Sequence, residues 1–125
     1  KNRTYGRIIL TADSPAGPFK YFDGFKGDIP SEKPVSWNGK WYVAFTDSWD
    51  DKQGIGLKYS EEFTGPYQDN PRNPIFTIES TTRSHPQLLH YKGIWLIFYT
   101  HRYQQTNHSL RLAVANINPE LLFMK

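Results

Sequence analysis

Cysteine is absent from the 125 residues, which excludes disulfides, thiolate metal sites and cysteine nucleophiles without fixing a compartment. Methionine occurs once, at Met124. No apolar run approaches the roughly 20 residues that a membrane-spanning helix needs, so no membrane partner is expected, and no signal-peptide pattern is visible. One-signed charge is scarce as well. Fifteen Lys and Arg are scattered among twelve Asp and Glu for a net charge of +3, so the basic patch of a nucleic-acid binder is missing and no nucleic-acid partner is expected.

What is plentiful is aromatic and turn-forming. Four Trp, eight Tyr and eight Phe stand among nine Gly and nine Pro, and helix-period runs are few, which predicts an all-β chain rich in turns. The segment Trp37-Asn38-Gly39-Lys40-Trp41-Tyr42-Val43-Ala44-Phe45-Thr46 recurs as Tyr91-Lys92-Gly93-Ile94-Trp95-Leu96-Ile97-Phe98-Tyr99-Thr100. Each copy reads as a β-hairpin, with a tight turn ending in Gly and a following strand that is apolar on both faces and therefore covered on both. A second phrase precedes each hairpin. Leu10-Thr11-Ala12-Asp13-Ser14-Pro15-Ala16-Gly17-Pro18-Phe19 matches Lys58-Tyr59-Ser60-Glu61-Glu62-Phe63-Thr64-Gly65-Pro66-Tyr67, a strand and polar loop closed by Gly-Pro-aromatic punctuation.

Gly17 and Gly65 lie 48 positions apart and Gly39 and Gly93 lie 54 apart, the spacing of a four-stranded blade repeated around an axis. The fold expected is a β-propeller of which 1–125 forms part of a single domain, about two and a half blades, with blade boundaries near 30 and 82. First and second strands are Pro34–Trp37 with Lys40–Asp47 and Pro86–His90 with Ile94–Thr100. Third strands are Arg7–Ala12, Ile55–Ser60 and Leu110–Ala115; fourth strands begin at Phe19 and Tyr67. Blades bury their faces only against neighbours, so such a piece is expected to pack against further blades of the same protein or another chain. An opening at Lys1 that runs at once into strand-like residues is what a piece of a longer polypeptide would show.

Hairpin geometry gathers the polar residues at the ends away from the turns. Ser31, Glu32 and Lys33 share an end with Asp47, Ser48, Trp49 and Asp50, and Arg83, Ser84 and His85 share one with His101, Arg102 and Tyr103. Carboxylates, His, Arg and exposed Trp suit a sugar, whose apolar face stacks on rings while fixed polar groups bond its hydroxyls. Each residue also has a structural reading. Glu32 is either a ligand or a solvated loop carboxylate, His85 and His101 either contact a ligand or ion or bond loop backbone, and Trp49 is a sugar platform or packs beneath its own loop. Trp37, Trp41 and Trp95 are expected in the core. Asp47, Asp50 and Asp51 lack calcium-loop spacing, and no metal site is expected.

The run from Ala12 to Phe19 (Ala-Asp-Ser-Pro-Ala-Gly-Pro-Phe), followed by a Pro-led strand and Asn38-Gly39-Lys40-Trp41-Tyr42, resembles the five-bladed propellers of glycoside hydrolase family 43 and its relatives in families 32 and 68. His85-Pro86-Gln87-Leu88-Leu89 through Tyr103 looks like a further blade of that group. The resemblance implies acid/base hydrolysis of arabinose-, xylose- or fructose-containing glycans, and hence a secreted or periplasmic protein if it degrades polysaccharide. Glu32-Lys33-Pro34 matches the Glu-x-Pro of the family's acid, Asp28 takes the place of the tuning carboxylate, and the base, usually in Asp-Pro, is expected upstream of Lys1. Asp47, Trp49, Arg83, His85, His101 and Arg102 would bind the carbohydrate partner. No cofactor is implied, beyond an ion or water in a central channel towards which His85 would point. A sugar-binding propeller without catalysis and a protein-interaction scaffold are the alternatives, and the isolated chain is expected to be inactive.

Overall fold

The computed structural model describes residues 7–78, 85–103 and 107–115. They are all-β, with no helix among the described residues. Ten strands follow in order: β1 (Ile9–Thr11), β2 (Lys20–Phe22), β3 (Val35–Trp37), β4 (Lys40–Trp49), β5 (Lys52–Ser60), β6 (Gln68–Asp69), β7 (Phe76–Ile78), β8 (Gln87–Tyr91), β9 (Ile94–Tyr103) and β10 (Asn107–Ala115). They form three antiparallel sheets: β1-β2, then β3-β4-β5 with β6 and β7 on the far side of β5, then β8-β9-β10. No sheet closes on itself among the described residues.

Both repeated hairpins form, and the reason is local. Asn38 and Gly39 (φ 52° and 79°) and Lys92 and Gly93 (φ 47° and 79°) carry the two positive φ values of a type I′ turn, whose twist matches that of the flanking strands. The two Gly-Pro loops also share their geometry. Gly17 N–H donates to Ser14 O and Gly65 N–H to Glu62 O, each at 3.0 Å, with Gly φ of 83° and 85°.

Several strand limits differ from the sequence expectation. The second strand runs on through polar residues to Trp49, and the third begins at Lys52, because Asp50 and Asp51 (φ 48° and 63°) make another two-residue turn in place of a loop. Short acidic side chains tolerate this left-handed backbone better than most. Likewise β10 starts at Asn107 instead of Leu110, and β1 spans only Ile9–Thr11. The fourth strand of the middle sheet is split into β6 and β7. In the gap, the Asn73 side chain takes the place of a strand backbone: Leu57 N–H donates to Asn73 Oδ1 and Asn73 Nδ2 donates to Leu57 O, both at 2.9 Å. Asn70 is 2% exposed and caps the same turn by accepting from Arg72 N–H.

The core lies between the middle and third sheets. Tyr42, Ala44, Ile55 and Leu57 pack against Leu88, Trp95 and Ile97, with the Trp37, Tyr42 and Trp95 rings in mutual contact. Trp95 is buried, as expected of a core position, whereas Trp37 and Trp41 are half-buried. The other face of β4 is covered too, since Val43 is 1% exposed. There Phe45 and Trp49 lie over Gly56 and Gly54; a β-carbon on either glycine would stand 2.8 Å from the ring, so the missing side chains make the room. Rings also seat the first sheet on the middle one through the contacts Phe22–Phe25, Phe25–Phe63 and Phe63–Trp41.

Candidate functional site

Proline sets the local backbone ahead of both inner strands. Pro30 and Pro34 have fixed φ and no N–H to offer a ladder, and the chain bends at Ser31 and Glu32 before it enters β3. Ahead of β8, Pro86 is fully buried and anchors the chain, while His85 takes a left-handed φ of 43°. The residue before proline is disfavoured in the right-handed helical region. Turned in this way, the His85 ring is 74% exposed yet reaches Glu32.

Glu32 is the junction of the two sheets. Its side chain is 10% exposed, Oε2 accepts from Gln87 Nε2 at 2.8 Å, and Oε1 faces His85 Nδ1 at 3.3 Å. Which partner donates in the Glu32–His85 contact follows the tautomer of His85. The entry of β3 and the entry of β8 are thus tied through one enclosed carboxylate, 53 residues from its histidine. Lys33, its neighbour, is exposed.

A second feature adjoins the same segment at Asp28 to Ser31. A cavity of about 420 Å³ is floored by Val43 and Phe45 and walled by Asp28, Asp47, Arg7 and Tyr67. Asp28 and Asp47 therefore line one space, and Glu32 lies outside it. Asp47 Oδ1 accepts from Ser48 N–H at 2.8 Å. Arg7 donates to Ile29 O, and the Tyr67 hydroxyl donates to Phe63 O. Burial pushes the Tyr67 phenol up to about 12.

Trp49 stands at the tip of the β4–β5 ribbon, its ring against Gly54 and 5.8 Å from Phe45. Arg83 lies outside the described residues. His101 and Arg102 continue β9 in register with Ser109 and His108, and their side chains are outside the described part. Among the described residues no three His, Asp or Glu side chains gather around a point as a metal site would require.

The chain matches no known protein-family model, no curated protein and no solved structure. The site stands on its own geometry. Sequence reasoning passed over Gln87, which opens β8 two residues after His85; strand alternation does not reach His85, which precedes the strand in a left-handed conformation. Arg7 and Tyr67 were passed over as well. No local pattern marks them, because the cavity joins segments about 60 positions apart in the chain.

Proposed function

We propose that this chain is part of a β-propeller of the five-bladed, carbohydrate-active type, acting on arabinose-, xylose- or fructose-containing glycans with Glu32 as the acid. The observation that carries this reading is Glu32 itself: an almost enclosed carboxylate held across two adjacent inner-strand entries, where a propeller would turn its blades towards a shared axis. The matching strand order of the hairpin-bearing sheets supports the architecture. Asp28, on the neighbouring cavity, is the candidate tuning carboxylate, and a further blade supplies the base.

Glycosidic hydrolysis needs one carboxyl group that protonates the leaving oxygen and another that activates water or attacks the sugar. Glu32 has the fixed position such a proton donor needs, with Gln87 and His85 setting the orientation of its two oxygens. The same engaged oxygens would also serve as fixed acceptors for sugar hydroxyls. That favours, as a second reading, a propeller that binds sugar without cleaving it.

The test is hydrolysis of aryl arabinosides and xylosides by the protein with its flanking blades, beside calorimetric binding of the free sugars. Glu32→Gln is expected to lower turnover by about 10²–10⁴-fold, the usual contribution of a general acid, while sugar binding persists. Binding without turnover in the unmodified protein selects the second reading. Neither binding nor turnover across those sugars overturns both.

A further inference from the structure

The cavity beside Asp28 is walled by opposite charges that leave Arg7 and Asp28 unpaired. Arg7, Lys26 and Lys58 line it together with Asp28 and Asp47. Two of these cations have carboxylate partners outside it: Lys26 Nζ lies 3.1 Å from Glu62 Oε2, and Lys58 Nζ lies 3.5 Å from Asp69 Oδ1. Arg7 has no such partner among the described residues. Its guanidinium donates to Ile29 O at 3.0 Å, and no described carboxylate is within ion-pair distance of it. Asp28 likewise forms no ion pair with a described residue. A guanidinium carries five N–H donors, so one carbonyl leaves most of them for a ligand.

The floor argues for recognition through polar groups. Phe45, the aromatic side chain there, lies over Gly56 and holds the Lys58 ammonium 4.9 Å from its ring centroid. Trp49, the sugar platform expected from the sequence, packs on Gly54 and lines no part of the cavity. A neutral sugar held by stacking is therefore poorly served. A ligand with one anionic group and several hydroxyls fits better. A guanidinium grips a carboxylate through two parallel hydrogen bonds, and carboxylates such as Asp28 and Asp47 accept from hydroxyls. The Lys26 and Lys58 pairs are exposed enough to be weak, so both ammonium groups still offset the two aspartates. About 420 Å³ is within the range of small-ligand sites.

We propose that this cavity binds a carboxylate-bearing sugar, a uronic acid unit of the glycan, with its carboxylate on the Arg7 guanidinium and its hydroxyls on Asp28 and Asp47. The inference rests on the sugar-binding half of the proposed function and narrows its substrate class to acidic glycans. It does not rest on Glu32, which lies outside the cavity.

The probes are methyl β-D-glucuronide and methyl β-D-glucoside, which differ only in the carboxylate, titrated into the full 125-residue chain and followed by NMR. The glucuronide is expected to bind at least about tenfold more tightly, the usual gain from a charge-assisted pair, and to shift the amides of Gly27, Asp28, Ile29 and Ser31. Raised salt should narrow that gap. Arg7→Gln is expected to abolish the preference, and Arg7→Lys, which keeps the charge and loses the planar fork, to recover part of it. Arg72→Gln makes the same charge change on an exposed turn outside the cavity and should leave the preference intact. Equal affinity for the two glycosides, a preference that survives Arg7→Gln, or no binding of either overturns the proposal. So does acetate that competes as well as the glucuronide, which would leave an anion site only. Glucuronide preference in a protein that hydrolyses nothing removes catalysis and keeps this inference, whereas turnover of neutral glycosides without the preference does the reverse.

Discussion

At the scale of single residues, two positions show how far a side chain's surroundings govern its cost. Gly39 and Gly65 both hold left-handed backbone, with φ of 79° and 85°, yet a β-carbon at Gly39 meets open space and one at Gly65 would stand 2.8 Å from Lys26 O. Gly39→Ala is expected to cost about 1 kcal/mol for the backbone conformation alone, whereas Gly65→Ala adds a clash with a carbonyl that cannot swing aside and should cost about 2–4 kcal/mol. Urea midpoints of the two variants check the order. Tyr67 gives a pH dependence. Its phenol titrates near 12 in the folded chain against 10 when unfolded, so the folded state holds its proton more tightly. The associated stability is complete below pH 10 and is lost as pH rises towards 12. Tyr67→Phe should flatten stability across that window, and phenolate absorbance should show one fewer tyrosine titrating late. The turn glycines were legible in the sequence because Asn-Gly and Gly-Pro carry their backbone demands locally. The Lys26 approach was not, since it joins segments 39 positions apart.

At the scale of elements, the split fourth strand departs most from the sequence reading. Four consecutive residues, Asn70-Pro71-Arg72-Asn73, precede Pro74, and two prolines without an N–H cannot extend a ladder. The Asn73 amide restores both bonds that Leu57 would otherwise lack. Asn73→Ala is expected to cost about 1–3 kcal/mol, because a part-buried N–H and C=O lose their partner together, and hydrogen exchange at the Leu57 amide should quicken. Asn73→Asp keeps the acceptor for Leu57 N–H but sets an oxygen against Leu57 O, and should recover less than half of that loss. The longer β4–β5 ribbon was hidden for another reason. Its polar end, Asp47-Ser48-Trp49, lacks the apolar alternation by which a strand is recognised, and pairing with Lys52, Gln53 and Gly54 holds it extended.

At the scale of the whole molecule, apolar surface is left uncovered on both outer sheets. Ile8, Leu10, Phe19 and Tyr21, exposed by 52–68%, share one side of the first sheet, and Leu89 and Tyr91, exposed by 44% and 54%, lie on the third. Contiguous patches of this kind mark interaction surfaces. The chain by itself is therefore expected to self-associate with rising concentration, and Tyr21→Lys with Leu89→Lys should lower its sedimentation coefficient towards that of a monomer; an unmodified chain that stays monomeric at high concentration would contradict this. The sequence alone determined the all-β class, the repeated hairpins and the strand that is apolar on both faces, because turn chemistry and side-chain alternation act over a few neighbouring residues. Only the tertiary structure decided that Glu32 meets His85 and Gln87, and that Asp28 and Asp47 share a different space with Arg7 and Tyr67. Those relations depend on how whole sheets stack, and stacking is set by the summed shape of many side chains rather than by any short stretch of sequence.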